Sequence, residues 1–150
     1  MSYSDKKIVY TLVIGAGPEK VWQALTTSEF TRQYWAGAEF ESDWRKGSQV
    51  TSRYNGEIEL SGEILEADPP RRLSYTWKDA HWPDLSPMRV VFEIEPVQGL
   101  SILTVVHDRF EDGELGEEAW QALTGGWPYV LSGLKTLLET GKPLGFDFGR

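Results

Sequence analysis

Residues 115–140 form a long segment whose apolar side chains recur every three or four positions, and it follows a run of segments that alternate apolar with polar residues. Trp120, Leu123, Trp127, Leu131, Leu134 and Leu138 fall on one stripe of a helix, with Gln121, Ser132, Lys135 and Glu139 opposite. A helix with one apolar stripe has to bury it, and the surface available is the apolar face of the preceding sheet. The order therefore predicts an α+β architecture in which one helix lies across a curved antiparallel sheet. Glu117 and Glu118 suit the positive end of the helix dipole, and Gly141 followed by Pro143 suits the far end. Gly125, Gly126 and Pro128 break the pattern, because an interior proline costs about 3 kcal/mol and removes a backbone donor. A kink near Gly125 is expected, or two helices with Pro128 restarting the second. Both versions set Trp127 against the sheet.

The chain before that helix divides cleanly. Ile8–Ile14 (IVYTLVI) reads as a strand with Tyr10, Leu12 and Ile14 on one face, closed by Gly15, Ala16 and Gly17. Pro18 fits the first position of a short helix striped with Val21, Trp22, Ala24 and Leu25, and Ser28 can cap a second over 29–35 that presents Phe30, Tyr34 and Trp35. From 39 to 109, turns at 45–47, Asn55-Gly56, Asp68-Pro69-Pro70 and Gln98-Gly99 cut the chain into a meander, about seven strands in all with the first. Leu73, Tyr75 and Trp77 share a side. Met88, Val90, Phe92 and Ile94 oppose Arg89, Val91, Glu93 and Glu95. In the last strand Leu103, Val105 and His107 alternate with Ile102, Thr104, Val106 and Asp108, a pattern that leaves either face free to point inward; the His107 face is read as the inner one.

Length and charge narrow the function classes. A chain of 150 residues fits one domain spanning 1–150, and such a domain buries about 68–70% of its unfolded surface, enough for a sheet, a helix layer and a hollow. The formal net charge of -8 repels nucleic-acid backbones and anionic lipid surfaces. There is no cysteine, so neither disulfides nor thiolate chemistry enter, and the two histidines, His81 and His107, lack zinc-ligand spacing. Residues 1–7 are polar with no apolar stretch behind them, and no apolar run approaches the ~20 residues that span a bilayer, so a cytoplasmic protein with no secretory leader and no membrane span is expected. Nucleophile elbows, His-Glu-x-x-His and phosphate-cradling loops are absent. Gly15-Ala16-Gly17 lacks a third glycine and precedes a meander where a dinucleotide fold would have a βαβ unit. No cofactor, metal or catalytic residue is assigned.

Three segments carry a resemblance: 18–26 (PEKVWQALT), 68–77 (DPPRRLSYTW) and 126–141 (GWPYVLSGLKTLLETG). With the element order they resemble the helix-grip fold of the START-like SRPBCC superfamily, and within it bacterial proteins similar to the C-terminal domain of the heat-shock-protein-90 ATPase activator. The resemblance covers nearly the whole chain and implies a hydrophobic cavity between helix and sheet. The eukaryotic co-chaperone has a separate N-terminal domain for engaging the chaperone. Nothing in this sequence corresponds to it, so chaperone activation is not carried over.

Seven tryptophans, six tyrosines and six phenylalanines supply lining or filling for such a space. The expected lining is Trp35, Tyr75, Trp77, Phe92, Val105, His107, Trp127 and Leu131, while Trp22 is read as core. His107, if inward, is either a neutral ligand-orienting group, a core histidine tied to the backbone, or a strand-end residue in solvent. Arg53 could meet a ligand carboxylate, whereas Arg89 falls on the outer face. The acidic run Glu111, Asp112, Glu114, Glu117 and Glu118 lacks calcium-loop spacing and reads as solvation and dipole pairing. The loop around His81 and Trp82 reads as a mobile cover for the mouth. Three functions compete: binding of a small hydrophobic or aromatic molecule, a cyclase or hydrolase using His107 and Tyr75 to move protons, and a chaperone accessory or homodimer built on exposed sheet edges.

Overall fold

The computed structural model describes residues 5–150, so the reading of the N-terminus falls partly on residues 1–4, outside the described residues. Seven antiparallel strands form one sheet: β1 (Ile8–Ile14), β2 (Glu39–Ser42), β3 (Gln49–Tyr54), β4 (Glu57–Asp68), β5 (Arg72–Asp79), β6 (Met88–Val97) and β7 (Leu100–Asp108), in the order β1-β7-β6-β5-β4-β3-β2. The meander thus runs unbroken from β2 to β7, and the first strand closes beside the last, with Ile8 opposite His107 and Ile14 opposite Ser101. Two hairpins turn on consecutive left-handed residues, Asn55 (φ 51) with Gly56 (φ 82) and Gln98 (φ 52) with Gly99 (φ 81). That is the turn whose twist matches paired strands.

Period-two reading sorted the faces correctly. Leu73, Tyr75, Trp77, Val90, Phe92, Leu103, Val105 and His107 are all buried on the concave side. On the convex side Arg89 donates two bonds to Asp108, at 2.9 and 2.5 Å, directly across the β6–β7 register, and Arg72 bridges Glu66 and Glu93. The exposed Arg72 pairs contribute at most about 1 kcal/mol each and serve register more than stability, whereas Asp108 is buried and its two bonds from Arg89 are partly shielded from water.

Helices α1 (Pro18–Thr26) and α2 (Ser28–Tyr34) follow β1, with Pro18 opening the first. Ser28 is not the cap expected of it. It is already helical, and Thr27 holds the cap position without a side-chain bond.

The closing helix, α3 (Glu114–Thr140), is continuous over 27 residues, so the two-helix alternative is not adopted. Pro128 has no amide to offer the carbonyl of Thr124, four residues back. The hydroxyl of Tyr10 on β1 donates to that carbonyl instead, at 2.8 Å. The sheet repairs the ladder that proline opens. Further along, Lys135 Nζ donates to the Val13 carbonyl at 2.7 Å, and Glu139 accepts from the Gly15 amide at 2.6 Å, which occupies the end of an otherwise open edge strand. The helix ends as its sequence predicts, with Gly141 in the left-handed region (φ 79) returning its amide to Leu137. Its buried face is centred on Trp127, Val130, Leu131, Leu134 and Leu137; Trp120, Leu123 and Leu138 are only half-buried. At Gly133 a Cβ would stand 2.9 Å from the Tyr34 carbonyl, so this glycine lets α3 approach α2. No helix among the described residues is long and apolar enough to cross a membrane.

Tyr10→Phe should lower unfolding stability by about 1 kcal/mol, since it leaves a partly buried carbonyl unmet. In a Pro128→Ala background the new amide takes over, and the same change should cost roughly 0.5 kcal/mol or less, as a urea double-mutant cycle would show.

Candidate functional site

One cross-strand row sets the geometry of the concave face. Phe40 lies opposite Ser52, Ser52 opposite Leu60, and Leu60 opposite Asp79, so four strands contribute neighbouring inward positions. All four residues are buried. Above them α3 presents Ala122, Leu123, Gly126, Trp127 and Val130. Ala38, Ser52, Ala122 and Gly126 are too small to fill the gap, and a Cβ placed on Gly126 would meet nothing within 4 Å. The result is a cavity of about 630 Å³, walled by Trp35, Phe40, Tyr54, Trp77, Trp82 and Trp127. Trp35 organises one side, with its ring centre 4.4 Å from Phe40 and 5.4 Å from Trp127.

Polar groups punctuate this wall. Ser52 and Trp35 are at least nine-tenths buried, and neither the hydroxyl nor the indole N–H bonds to any described residue. Asp79 collects three donors: Trp77 Nε1 at 3.0 Å on one oxygen, and the His81 amide and Nδ1, each at 2.9 Å, on the other.

The loop after β5 was expected to be a mobile cover. It is tied down instead. Lys78 Nζ donates to the carbonyls of Pro83 and Leu85, and Trp82 Nε1 donates to Glu118 on α3 at 2.9 Å. His81 and Trp82 therefore belong to the cavity wall.

Residues after α3 complete the enclosure. Arg150 donates to the Ala36 carbonyl at 3.0 and 2.8 Å, pairs with Glu59 and lies 3.9 Å over the Tyr54 ring. Phe148 joins it on the wall, and Phe146 packs on Tyr129 at 5.5 Å. Sequence reasoning missed this strap. The signal was there in Gly145-Phe146-Asp147-Phe148, two aromatics at alternate positions in a segment otherwise free to be polar.

Of the eight residues expected to line the space, Trp35, Trp77 and Trp127 do so. Tyr75, Phe92, Val105, His107 and Leu131 are buried in the packed layer beside it and do not reach the wall. Burial raises the pKa of the Tyr75 phenol well above the usual range. His107 accepts from Trp127 Nε1 at 3.1 Å through Nδ1, so its proton sits on Nε2, which has no partner among the described residues. Phe110 and Trp77 flank the ring, with centres at 5.2 and 4.8 Å. Burial lowers its pKa to about 3, against a smaller opposing pull from Asp108. Arg53 is exposed and donates to the Gly56 carbonyl in its own hairpin, away from the cavity. In the acidic run Glu111 accepts from the Ser86 amide at 2.5 Å, and hydrogen bonds from the Ser86 side chain first and its amide second lower its pKa. Among the described residues no cluster of three His, Cys, Asp or Glu could hold a metal ion.

A curved seven-stranded sheet gripping a long C-terminal helix, with two short helices after the first strand, is the helix-grip fold of START-like proteins. The sequence pattern described as "Activator of Hsp90 ATPase homolog 1-like protein" matches residues 15–139, and the chain belongs to that family. No curated protein matches it in sequence. Among solved structures it is similar to protein MLL2253 from Mesorhizobium loti, at 25% identity over 89% of this chain and 97% of that one, with a TM-score of 0.75. The Aha1 dimer from Colwellia psychrerythraea is 21% identical over 91% of this chain and 98% of that one, also with a TM-score of 0.75. CalU16 from Micromonospora echinospora is 23% identical over 91% of this chain and 76% of that one, with a TM-score of 0.71.

The His107 environment has a pH consequence. Its folded pKa of about 3 lies below the ordinary value of 6.5, so between those limits the unfolded chain binds a proton that the folded one refuses. Stability held above pH 6.5 is then lost as pH falls. His107→Gln keeps an acceptor for Trp127 but cannot titrate, so the stability gap between wild type and variant should move by about 2–3 kcal/mol in the variant's favour from pH 7.5 to 4.5. Urea midpoints at the two pH values measure it.

Proposed function

We propose that the protein binds a small hydrophobic or amphipathic molecule in the cavity between α3 and strands β2–β5. The observation that carries this reading is the cavity itself: about 630 Å³, walled by indole rings, with the Ser52 hydroxyl and the Trp35 indole N–H on lining residues and bonded to no described residue. That volume falls within the roughly 300–1,000 Å³ usual for ligand sites, and convergent polar groups in an apolar wall are what orient a ligand. The enzymatic alternative loses its expected residues, because His107 and Tyr75 do not touch the space. The solved relatives add the fold but no ligand.

Gly126→Leu tests the location. The side chain would project into open volume and replace glycine within a helix, so the fold should hold or gain up to about 1 kcal/mol. Native mass spectrometry of the protein from its own cells, followed by tryptophan-fluorescence titration, should show a ligand bound by wild type and bound at least tenfold more weakly by the variant. Equal binding by both proteins would move the site elsewhere, and no bound species under any condition would remove the reading.

Homodimerisation is a second reading, supported by the Colwellia Aha1 dimer and by Val9 and Val13, which face outward on edge strand β1 at 56% and 49% exposure. Light scattering after size exclusion should give twice the chain mass at micromolar concentration. A monomeric mass would dismiss it.

A further inference from the structure

We propose that Asp79 and His81 form a hydrogen-bond-accepting dyad at the cavity mouth that selects ligands bearing a weakly acidic hydroxyl on an aromatic body. This rests on the ligand-binding reading above. The argument begins with Asp79, whose carboxylate is an acceptor only. His81 Nδ1 lies 2.9 Å from one of its oxygens, so the neutral ring carries its proton there and leaves the Nε2 lone pair bare. Nε2 has no hydrogen-bond partner among the described residues, while the ring lines the cavity.

The orientation is fixed from behind. Asp79 is 9% exposed, and its second oxygen takes the indole N–H of Trp77, itself part of the wall. The same Asp79 oxygen that holds the ring also accepts the His81 amide, which pins the backbone that carries it. A histidine tethered in this way presents one lone pair in one direction, with a carboxylate behind it to favour a partial positive charge on the ring. The wall around it is aromatic, which suits a planar ligand body.

The acceptor also discriminates. Asp79 and Glu59 place two carboxylates on the wall, against one arginine, so an anionic ligand end gains little there. A phenolic or enolic hydroxyl is a stronger donor than an aliphatic one and needs no counter-charge.

The test uses 2-naphthol and 2-methoxynaphthalene, which share a ring system and differ in the hydroxyl proton. By tryptophan fluorescence at pH 8, wild type should bind 2-naphthol about five- to tenfold more tightly, the size expected of one hydrogen bond. In His81→Phe the preference should vanish, the ratio of the two affinities falling to about one. The His81 side chain is 69% exposed, so the variant should fold as wild type does. Nitrogen-15 NMR of His81 should report a protonated Nδ1 and a bare Nε2 in wild type, and a mixture of tautomers in Asp79→Asn. Equal affinity of wild type for both probes, parallel weakening of both in His81→Phe, or a protonated Nε2 in wild type would each overturn the dyad while leaving the cavity reading intact. Binding of neither probe would end both for aromatic ligands.

Discussion

Trp127 is the contact on which the arrangement of helix and sheet depends. Its indole N–H meets His107 on β7, and its rings pack edge-on against Trp35, Trp77 and Phe92, at 5.4, 5.9 and 6.0 Å. One side chain therefore touches the end of α2 and strands β5, β6 and β7. Burying an aromatic residue of this kind removes about 150–250 Å² from water, roughly 4–6 kcal/mol as an upper estimate. More consequentially for function, a ring this large holds the helix off the sheet. On one side of it the gap is filled by Phe92, Val105 and Leu131; on the other, Ala122 and Gly126 leave it open. The same residue is keystone and cavity wall.

The polar groups of the concave face fall into two kinds. His107 is sealed between aromatic rings, held neutral by burial and left with an unpartnered N–H, a cost of about 1–3 kcal/mol that the surrounding packing offsets. Asp79 is the opposite case, saturated with donors that converge from Trp77 and His81. The two histidines of the chain thus end in contrasting settings: one buried and chemically quiet, the other at the edge of open space.

Much of this was legible beforehand. Strict alternation over β5 and β6 identified the inward faces, because a two-residue period has only two solutions and one of them buries charge. The turns at Asn55-Gly56 and Gln98-Gly99 and the glycine end of α3 followed from backbone conformations that few residues accept. What periodicity cannot supply is position along a strand. It marks Tyr75, Phe92 and Trp127 alike as inward, yet which inward residues face a hollow is decided by small residues brought together from several elements, Ala38, Ser52, Ala122 and Gly126. Gly126 was read as a helix breaker when its consequence was empty volume. The partner that the Thr124 carbonyl finds in place of the Pro128 amide, the Tyr10 hydroxyl, was out of reach of any local pattern because it comes from a residue 114 positions away. The strap ending in Arg150 went unnoticed because the alternation of Phe146 and Phe148 is too short to say which surface they cover.

The pairing of β1 with β7 bears on how the chain is made in the cell. Thr11 must wait for Thr104, 93 residues later, and Tyr10 for Thr124 later still. At about 5–20 residues per second of synthesis, the opening strand leaves the ribosome roughly 5–20 s before its neighbour exists. During that interval an apolar ribbon has no native mate, and the helix that will cover its edge has yet to emerge. Closure of the sheet thus waits on segments made long after the first strand, and β1 is paired and covered only once β7 and α3 have both emerged.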